Sequence, residues 1–311
     1  MDRAGGALRV LTAAAAGLLI GAAAPSALEA LVWIAPGHEQ AALARQPATC
    51  LATQDDAVTA GRALFYAPNL LGGQASRAGV SCASCHSNGR NNPHFFLAGV
   101  SDKPGTADVS QSFFSPLRGN GRFDPKPIPD LAAPGKVSRD PASGALERFM
   151  RGLIVEEFSG AEPSPAMLSA LGAYVRAIRA CPDRADEPRT LDRQLELVRA
   201  SAQSAAWFAD NGDPRAAKLL AGATRRQLGL IDERLAPGGN KPARRALLKA
   251  SRELERGTAD PAALEAWLAG FDKRVGPVVE RAEPRSLYSS RLLMRWVSRS
   301  SLGRGGGSAK R

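Results

Sequence analysis

Histidine and cysteine are scarce in this sequence of 311 residues, which has three histidines and four cysteines. Neither residue type occurs after Cys181. The scarcity excludes a catalytic or metal-binding cluster built on these side chains from residues 185–311. Chemistry that depends on histidine or cysteine is therefore confined to the first part of the chain.

Aromatic residues make up only 5% of the sequence, and β-branched residues are few. Alanine, leucine and arginine dominate instead, and this composition favours helices over sheets. Residues 185–311 carry 24 basic and 15 acidic residues, a net charge of +9, whereas residues 40–184 carry a net charge of +3. The basic half has no groove-binding motif and no interleaved aromatics, so nucleic-acid binding is not predicted. The positive charge could bind an acidic partner protein or an anionic membrane surface. The alternative is an arginine-rich helix surface that is simply solvated.

Long apolar runs are confined to the beginning of the chain. Arg3 and Arg9 precede the apolar stretch Val10–Ala24, a pattern that predicts an export signal over residues 1–26. If the signal stays uncleaved, Val10–Ala35 is just long enough to cross a bilayer. We therefore expect a periplasmic protein, either released by cleavage or anchored by this segment.

The sequence Cys82-Ala83-Ser84-Cys85-His86 is the attachment pattern of a c-type haem. The two thiols can add to the two vinyl groups of one haem, and the histidine that follows can bind the iron. A redox dithiol and a zinc site are the competing interpretations. Zinc needs two further nitrogen or sulfur ligands at short spacing, and none are present. The pattern thus predicts one covalent haem c per chain, held by Cys82, Cys85 and His86.

Apolar periodicity and capping residues predict an all-α fold. Helices are expected before and well after the haem motif, at Asp55–Ala67, at Ala145–Phe158 and from Ser164 to Cys181. Residues 87–142 are rich in Gly, Pro, Asn and Ser and predict long irregular loops. These loops are expected to wrap the haem edge with five apolar contacts, Phe95, Phe96, Phe113, Phe114 and Leu117. Further helices are predicted at Thr190–Ala209, Asp213–Leu235, Lys241–Arg256, Asp260–Val275 and Ser286–Ser298.

The charged, proline-containing stretch 182–189 divides the chain into two predicted domains. A haem domain would occupy residues 40–181, and a small helical bundle residues 190–299. Residues 300–311 are a basic, glycine-rich tail with the composition of a disordered segment.

Cys50 and Cys181 bracket the predicted haem domain. In an oxidising compartment such a pair often forms a disulfide, since the ends of a domain often lie close together. The alternative is two unpaired buried thiols.

The segment around the motif resembles the bacterial cytochrome c peroxidase-like family of cytochrome c domains. The resemblance rests on Gly61-Arg62-Ala63-Leu64-Phe65, on Leu71-Gly72-Gly73 and on the haem motif, and it covers about residues 50–181. It implies a cytochrome c-like fold in which Cys82 and Cys85 form the thioethers and His86 is the proximal ligand. Enzymatic members of the family use two haems, whereas this chain has one attachment motif.

The sixth iron ligand decides the function that the sequence predicts. A methionine makes an electron-transfer haem, whereas an open face permits peroxide chemistry. Met150 lies on the apolar face of its helix at a distance from His86 that is normal for cytochromes, and it is our preferred ligand. Met167, His94 or no protein ligand are the alternatives.

Three functions are compatible with these residues. The favoured one is a periplasmic single-haem cytochrome c that passes one electron at a time to a redox partner protein. The second is a peroxidase-like or oxidase-like haem enzyme in which Arg90, His94 or Arg118 polarises bound peroxide. The third is a sensory module in which the haem changes how the helical bundle meets a partner.

Overall fold

The computed structural model describes residues 33–114, 117–256 and 260–304. The predicted export signal, residues 1–26, lies outside the described residues, as does most of the predicted basic tail. The described chain is mostly helical, as the composition predicts. No helix among these residues is long and apolar enough to cross a membrane.

Twelve α-helices follow one another along the described residues. They are α1 (Glu39–Ala44), α2 (Asp56–Phe65), α3 (Gly73–Arg77), α4 (Cys82–Cys85), α5 (Ala145–Gly152), α6 (Pro165–Ala177), α7 (Leu191–Asp210), α8 (Pro214–Leu235), α9 (Lys241–Arg256), α10 (Pro261–Gly270), α11 (Gly276–Glu280) and α12 (Ser290–Arg304). A π-helical turn continues α5 over Leu153–Glu157, and another continues α10 over Phe271–Val275.

Four short strands form two antiparallel pairs. Strand β1 (Arg45–Pro47) pairs with β4 (Asp186–Pro188), and β2 (Thr106–Ala107) pairs with β3 (Lys126–Pro127). Within the described part of residues 87–142, which leaves out 115–116, the regular structure is the β2–β3 pair and a 3₁₀ turn at Ser87–Gly89. The predicted irregular stretch therefore consists mostly of loops.

Side-chain caps explain why most of the longer helices begin where the sequence predicts. In each case an oxygen of the preceding side chain accepts a hydrogen bond from a backbone N–H of the first turn, which would otherwise lack a partner. The capping residues are Asp55, Ser164, Thr190, Asp213 and Asp260. Proline at the first position of α6, α8 and α10 adds to this preference, since it has no N–H to leave unbonded.

Helices α2 and α6 cross at very close range, and Gly61 makes this crossing possible. A Cβ atom at Gly61 would lie 1.9 Å from the carbonyl oxygen of Ala170. Phe65, one turn further along α2, packs its ring edge-to-face on Tyr174 of α6 with 5.2 Å between centroids. Helices α2 and α6 therefore pack directly against each other, one before the haem motif and one after it.

The predicted linker 182–189 is partly a strand in the structure. Its residues 186–188 form β4, and the Glu187 side chain is buried there. Asn69 also donates from Nδ2 to the carbonyl oxygen of Leu219 in α8 at 2.7 Å. One buried hydrophobic core runs from Val58 to Ala282 and includes both predicted domains. That residues 40–181 fold independently of residues 190–299 stays a prediction.

A disulfide joins Cys50 to Cys181, with 5.4 Å between their Cα atoms. Beside it, the backbone N–H of Arg179 donates to the carbonyl oxygen of Cys50 at 2.8 Å. The two ends of the 50–181 region are thus held next to each other by a covalent and a backbone link.

Candidate functional site

Helix α4 contains both cysteines of the motif and is fixed at each end. At its start, the Ser81 N–H donates to Oγ of Ser84 at 3.0 Å, completing a capping box. After the helix the chain folds back, and Asn92 donates from its backbone N–H to the Cys85 carbonyl at 3.0 Å and from Nδ2 to the Ser84 carbonyl at 2.8 Å. These bonds leave little freedom in the backbone that positions the cysteines.

A cavity of about 610 Å³ opens against this helix. Cys82, Cys85 and His86 line it together. Most of the remaining lining is apolar and comes from α2, the loops, α5 with its π turn, and α6. It includes Phe65, Leu70, Leu71, Val80, Phe114, Ile128, Leu146, Met150, Leu153, Ile154, Phe158, Leu171 and Val175. The volume lies within the range of roughly 300–1,000 Å³ that is typical of small-molecule and cofactor sites.

Cys82 and Cys85 are both free thiols in the structure. Burial raises the pKa of Cys82 to about 11 and that of Cys85 to about 12, with the neighbouring Cys82 adding to the second shift. A reactive redox dithiol depends on a lowered thiol pKa. The environment of these two cysteines is therefore the opposite of the one that a dithiol oxidoreductase uses.

His86 is held in one tautomer. Its Nδ1 donates a hydrogen bond to the carbonyl oxygen of Pro129 at 3.0 Å, so Nε2 is the nitrogen that carries the free lone pair. Burial lowers the pKa of His86 to about 4 and outweighs the opposing effects of that hydrogen bond and of Asp130. The imidazole is therefore neutral at neutral pH, the form in which histidine binds metals.

The loop that contains Pro129 is tied to the motif by an ion pair. Arg90 donates to Asp130 through Nε and Nη2, each at 2.7 Å, and both side chains are mostly buried. The Leu131 N–H also donates to the Gly89 carbonyl at 3.1 Å. Burial alone would raise the pKa of Asp130, but Arg90 and the Ala132 amide hold that pKa below its ordinary value.

The three candidate sixth ligands lie in different surroundings. Met150 lines the cavity that Cys82, Cys85 and His86 also line. Met167 is a core residue with 3% exposure and is not among the lining residues. His94 is also outside the lining, and its Nδ1 is hydrogen-bonded to Nδ1 of His38 at 3.0 Å. The structure thus brings only Met150 of the three to the same cavity as the motif.

The residues expected to polarise peroxide are engaged elsewhere. Arg90 pairs with Asp130, and Arg118 pairs with Glu156 and Glu157. Neither arginine lines the cavity. Of the five apolar residues expected around the haem edge, Phe114 alone is among the lining residues.

Sequence reasoning missed the supports behind the motif. Asn88 is buried with a left-handed φ of 53°, accepts from the Tyr66 hydroxyl at 2.5 Å and donates to the Pro47 carbonyl at 2.7 Å. The dipeptide Asn88-Gly89 is a recognisable turn signal that could have indicated this bend. No sequence signal could have identified Pro129 as the partner of His86, because it accepts the hydrogen bond through its backbone carbonyl, a group that every residue has.

Among the described residues, no group of three or more His, Cys, Asp or Glu side chains is gathered as a metal site would require. Comparison of the sequence with protein-family models and with curated proteins, and of the structure with solved structures, found no match.

Proposed function

We propose that this chain is an exported c-type cytochrome that binds one covalent haem c in the large cavity and transfers single electrons. One observation carries the proposal. Both thiols of a C-x-x-C-H motif, its histidine and a methionine line a single, largely apolar cavity of about 610 Å³. A small-molecule site with this combination of side chains fits a haem better than it fits a dithiol or a zinc ion.

The residues present match the chemical needs of haem c. Cys82 and Cys85 would hold it through thioether bonds, and both are free. His86 presents a neutral imidazole whose other nitrogen is already bonded to a backbone carbonyl, as is usual for a histidine that binds metal. Met150 offers a thioether, which suits electron transfer. Haem bound there would supply a centre that takes up and releases one electron at a time.

The protein's own part is to orient the ligands and to exclude water. The Pro129 carbonyl and the Arg90–Asp130 pair fix the plane and tautomer of His86. Buried side chains such as Leu71 and Leu171 keep the cavity apolar. A dry cavity limits solvent around the cofactor, and burial is one of the means by which a protein sets a haem potential.

A cytochrome c-like fold for residues 40–181 is part of the proposal. The helix that contains Gly61 and Phe65, one of the segments that carry the family resemblance, packs on the helix that contains Tyr174, which lies within the region that the resemblance covers. The Phe65 ring also lies 6.4 Å from the His86 ring, centroid to centroid. The α2–α6 pair therefore lies next to the haem motif, which supports this assignment.

Export to the periplasm is proposed from residues 1–26, with the segment either cleaved or kept as an anchor. The Cys50–Cys181 disulfide fits an oxidising compartment. A redox partner protein is expected to dock where the cavity meets solvent. Phe149, which is 63% exposed, lines the cavity there, so a partner with an apolar contact patch would fit.

Haem staining tests the proposal directly. The protein is produced in cells that attach haem c and is run on a denaturing gel. Wild type should give a haem-stained band, and the Cys82→Ala, Cys85→Ala double variant should not. The Cys50→Ala, Cys181→Ala double variant is the matched control, since it loses two cysteines and keeps the motif, and its stain should persist. An unstained wild-type band would overturn the proposal.

Absorption spectra of the oxidised and reduced protein then separate a carrier from an enzyme. A low-spin iron that does not react with peroxide supports electron transfer. A high-spin iron that turns over peroxide would replace the carrier with a peroxidase-like or oxidase-like enzyme.

A further inference from the structure

A second cavity, of about 170 Å³, also borders helix α4. Cys82 and Cys85 line the large cavity, whereas Ala83 and Ser84 line this smaller one. Its other walls come from the beginning of the described chain, from the residues around Tyr66 and from α8; they include Trp33, Ile34, Asn92, Arg189, Arg226, Gln227 and Arg234. We call it the arginine cavity.

Arg189 lines the arginine cavity without a carboxylate partner. It donates from Nε to the carbonyl oxygens of Ala42 at 2.8 Å and Arg45 at 3.1 Å, and from Nη1 to the Gln46 side chain at 2.9 Å. Its last contact, from Nη2, is with the Ser87 hydroxyl at 3.5 Å. Every hydrogen-bond acceptor is neutral, and the nearby Glu187 carboxylate, which pairs with Arg184 and Arg193, acts on the guanidinium charge only through space.

Arg234 is in the same situation. Its Nη2 donates to the Leu43 carbonyl at 3.0 Å, and its guanidinium lies over the Tyr288 ring, 4.8 Å from the centroid. Burial lowers the pKa of Arg234 and outweighs Tyr288 and the neighbouring Glu233 carboxylate, which favour its charged form. Burial and the charge of Arg234 together lower the pKa of Arg189 to about 10, against the opposing effects of Tyr66, Tyr288 and Glu187. Two buried cations that repel each other are costly in the interior, and an anion between them would offset that cost.

Two donors beside the arginine cavity lack an acceptor. The Nη1 of Arg234 and the indole Nε1 of Trp33 are both buried and have no hydrogen-bond partner among the described residues. An N–H group left unbonded in the interior destabilises the folded protein. Two buried guanidinium groups that repel each other and two donors without acceptors indicate the same kind of ligand, one that is anionic and only accepts hydrogen bonds.

We propose that the arginine cavity binds a phosphate group, either inorganic phosphate or the phosphate of a lipid headgroup. Guanidinium groups match phosphate oxygens in geometry and form strong charge-assisted hydrogen bonds with them. The volume suffices, since one water takes about 30 Å³ of liquid. Trp33 and Ile34 border the cavity and end the apolar stretch that begins at Val10 in the sequence, so a lipid headgroup is one source of the phosphate. The proposal does not depend on haem binding.

Calorimetric titration of the full chain with inorganic phosphate tests the site. Wild type should release or absorb heat with saturation, and Arg234→Gln should bind at least tenfold more weakly. Arg245→Gln is the matched control: it removes the same charge from the exposed face of α9 and should bind like wild type. Equal binding by wild type and Arg234→Gln, or no binding by wild type, would overturn the site.

Trp33→Phe keeps the proposal testable if Arg234→Gln fails to fold. It removes one buried donor and retains the ring, and it should weaken phosphate binding severalfold with an unchanged circular dichroism spectrum. Unchanged affinity in this variant would count against the site. The source is resolved by repeating the titration with dihexanoyl phosphatidylglycerol below its micelle concentration. Tighter binding than phosphate assigns the site to a lipid headgroup, and weaker binding assigns it to the free ion.

Discussion

The Nδ1 of His86 donates a hydrogen bond to the carbonyl oxygen of Pro129, 43 residues further along the chain, at 3.0 Å. The next residue, Asp130, pairs with Arg90, four residues after His86. The orientation of the imidazole is therefore set by a loop that is itself fastened to the turn behind the motif. This arrangement makes the ion pair a positioning element for the ring.

Asp130→Asn should show that the position of His86 depends on the Arg90–Asp130 ion pair. Losing the carboxylate leaves the mostly buried Arg90 guanidinium without its partner, which costs about 1–3 kcal/mol. Urea denaturation should show that decrease in unfolding free energy, and haem saturation should fall with it. Asp140→Asn, which changes an exposed aspartate in the same loop region, should stay within about 0.5 kcal/mol of wild type. If the two variants are equally stable, the Arg90–Asp130 pair contributes nothing.

Two glycine-to-alanine changes should have opposite effects on stability. Gly61→Ala places a methyl group 1.9 Å from the Ala170 carbonyl oxygen, so α2 and α6 must separate, at a cost of about 1–3 kcal/mol or more. Gly229→Ala in α8 meets nothing within 4 Å and should stabilise by about 0.5–1 kcal/mol, because alanine favours helix. Thermal unfolding of both variants measures the difference. A stable Gly61→Ala protein would mean that the helices do not cross as described.

The helices were predictable because their signals are local. The predicted bounds of Lys241–Arg256 agree with the structure, and the helix predicted from Asp213 begins there with Asp213 as its cap. The turns at Leu153–Glu157 and Phe271–Val275 were expected to be α-helical and are π-helical. That change leaves the apolar periodicity almost untouched, so the sequence pattern did not distinguish the two.

Of the candidate site, only the residues of the haem attachment motif were predictable from the sequence. A contiguous motif identifies Cys82, Cys85 and His86, but partners that depend on tertiary packing leave no mark in the sequence. Strand β4 illustrates this: the charged, proline-containing 182–189 has the composition of a linker, yet residues 186–188 pair with β1. Pairing across so long a separation depends on the fold and not on local propensity.

The free energy of unfolding should decrease as the pH falls below 6.5, the ordinary pKa of histidine. Burial, His38 and Arg189 lower the pKa of His94 from its ordinary value of 6.5. The unfolded chain therefore takes up this proton first, and the stabilisation present above pH 6.5 is lost as the pH falls below that value. His94→Gln removes this titration and can retain a hydrogen bond to His38. Urea denaturation at pH 7 and pH 5 should show a smaller loss for His94→Gln than for wild type, and equal losses would contradict the assignment.

The Cys50–Cys181 bridge should be a major source of stability. It spans 131 residues, and the chain-entropy model assigns a loop of this size roughly 4–5 kcal/mol. The Cys50→Ser, Cys181→Ser double variant should lose several kcal/mol in urea denaturation. Mass spectrometry of the unreduced exported protein should find the two cysteine peptides linked. Two alkylatable thiols in the native protein would show that the bridge does not form.

Met150 and Met167 should respond differently to replacement by alanine. Met150 lines the cavity with the haem motif, whereas Met167 is buried in the core at 3% exposure. Met150→Ala should lose the weak near-infrared band of methionine ligation and turn high-spin, with a modest change in stability. Met167→Ala should keep the band but lose about 2–5 kcal/mol of unfolding free energy, because it leaves a cavity in the core. The reverse spectral result would assign the ligand to Met167 and leave electron transfer standing. A wild-type protein that is already high-spin would mean that neither methionine binds the iron, and peroxide turnover would then be the assay that decides its function.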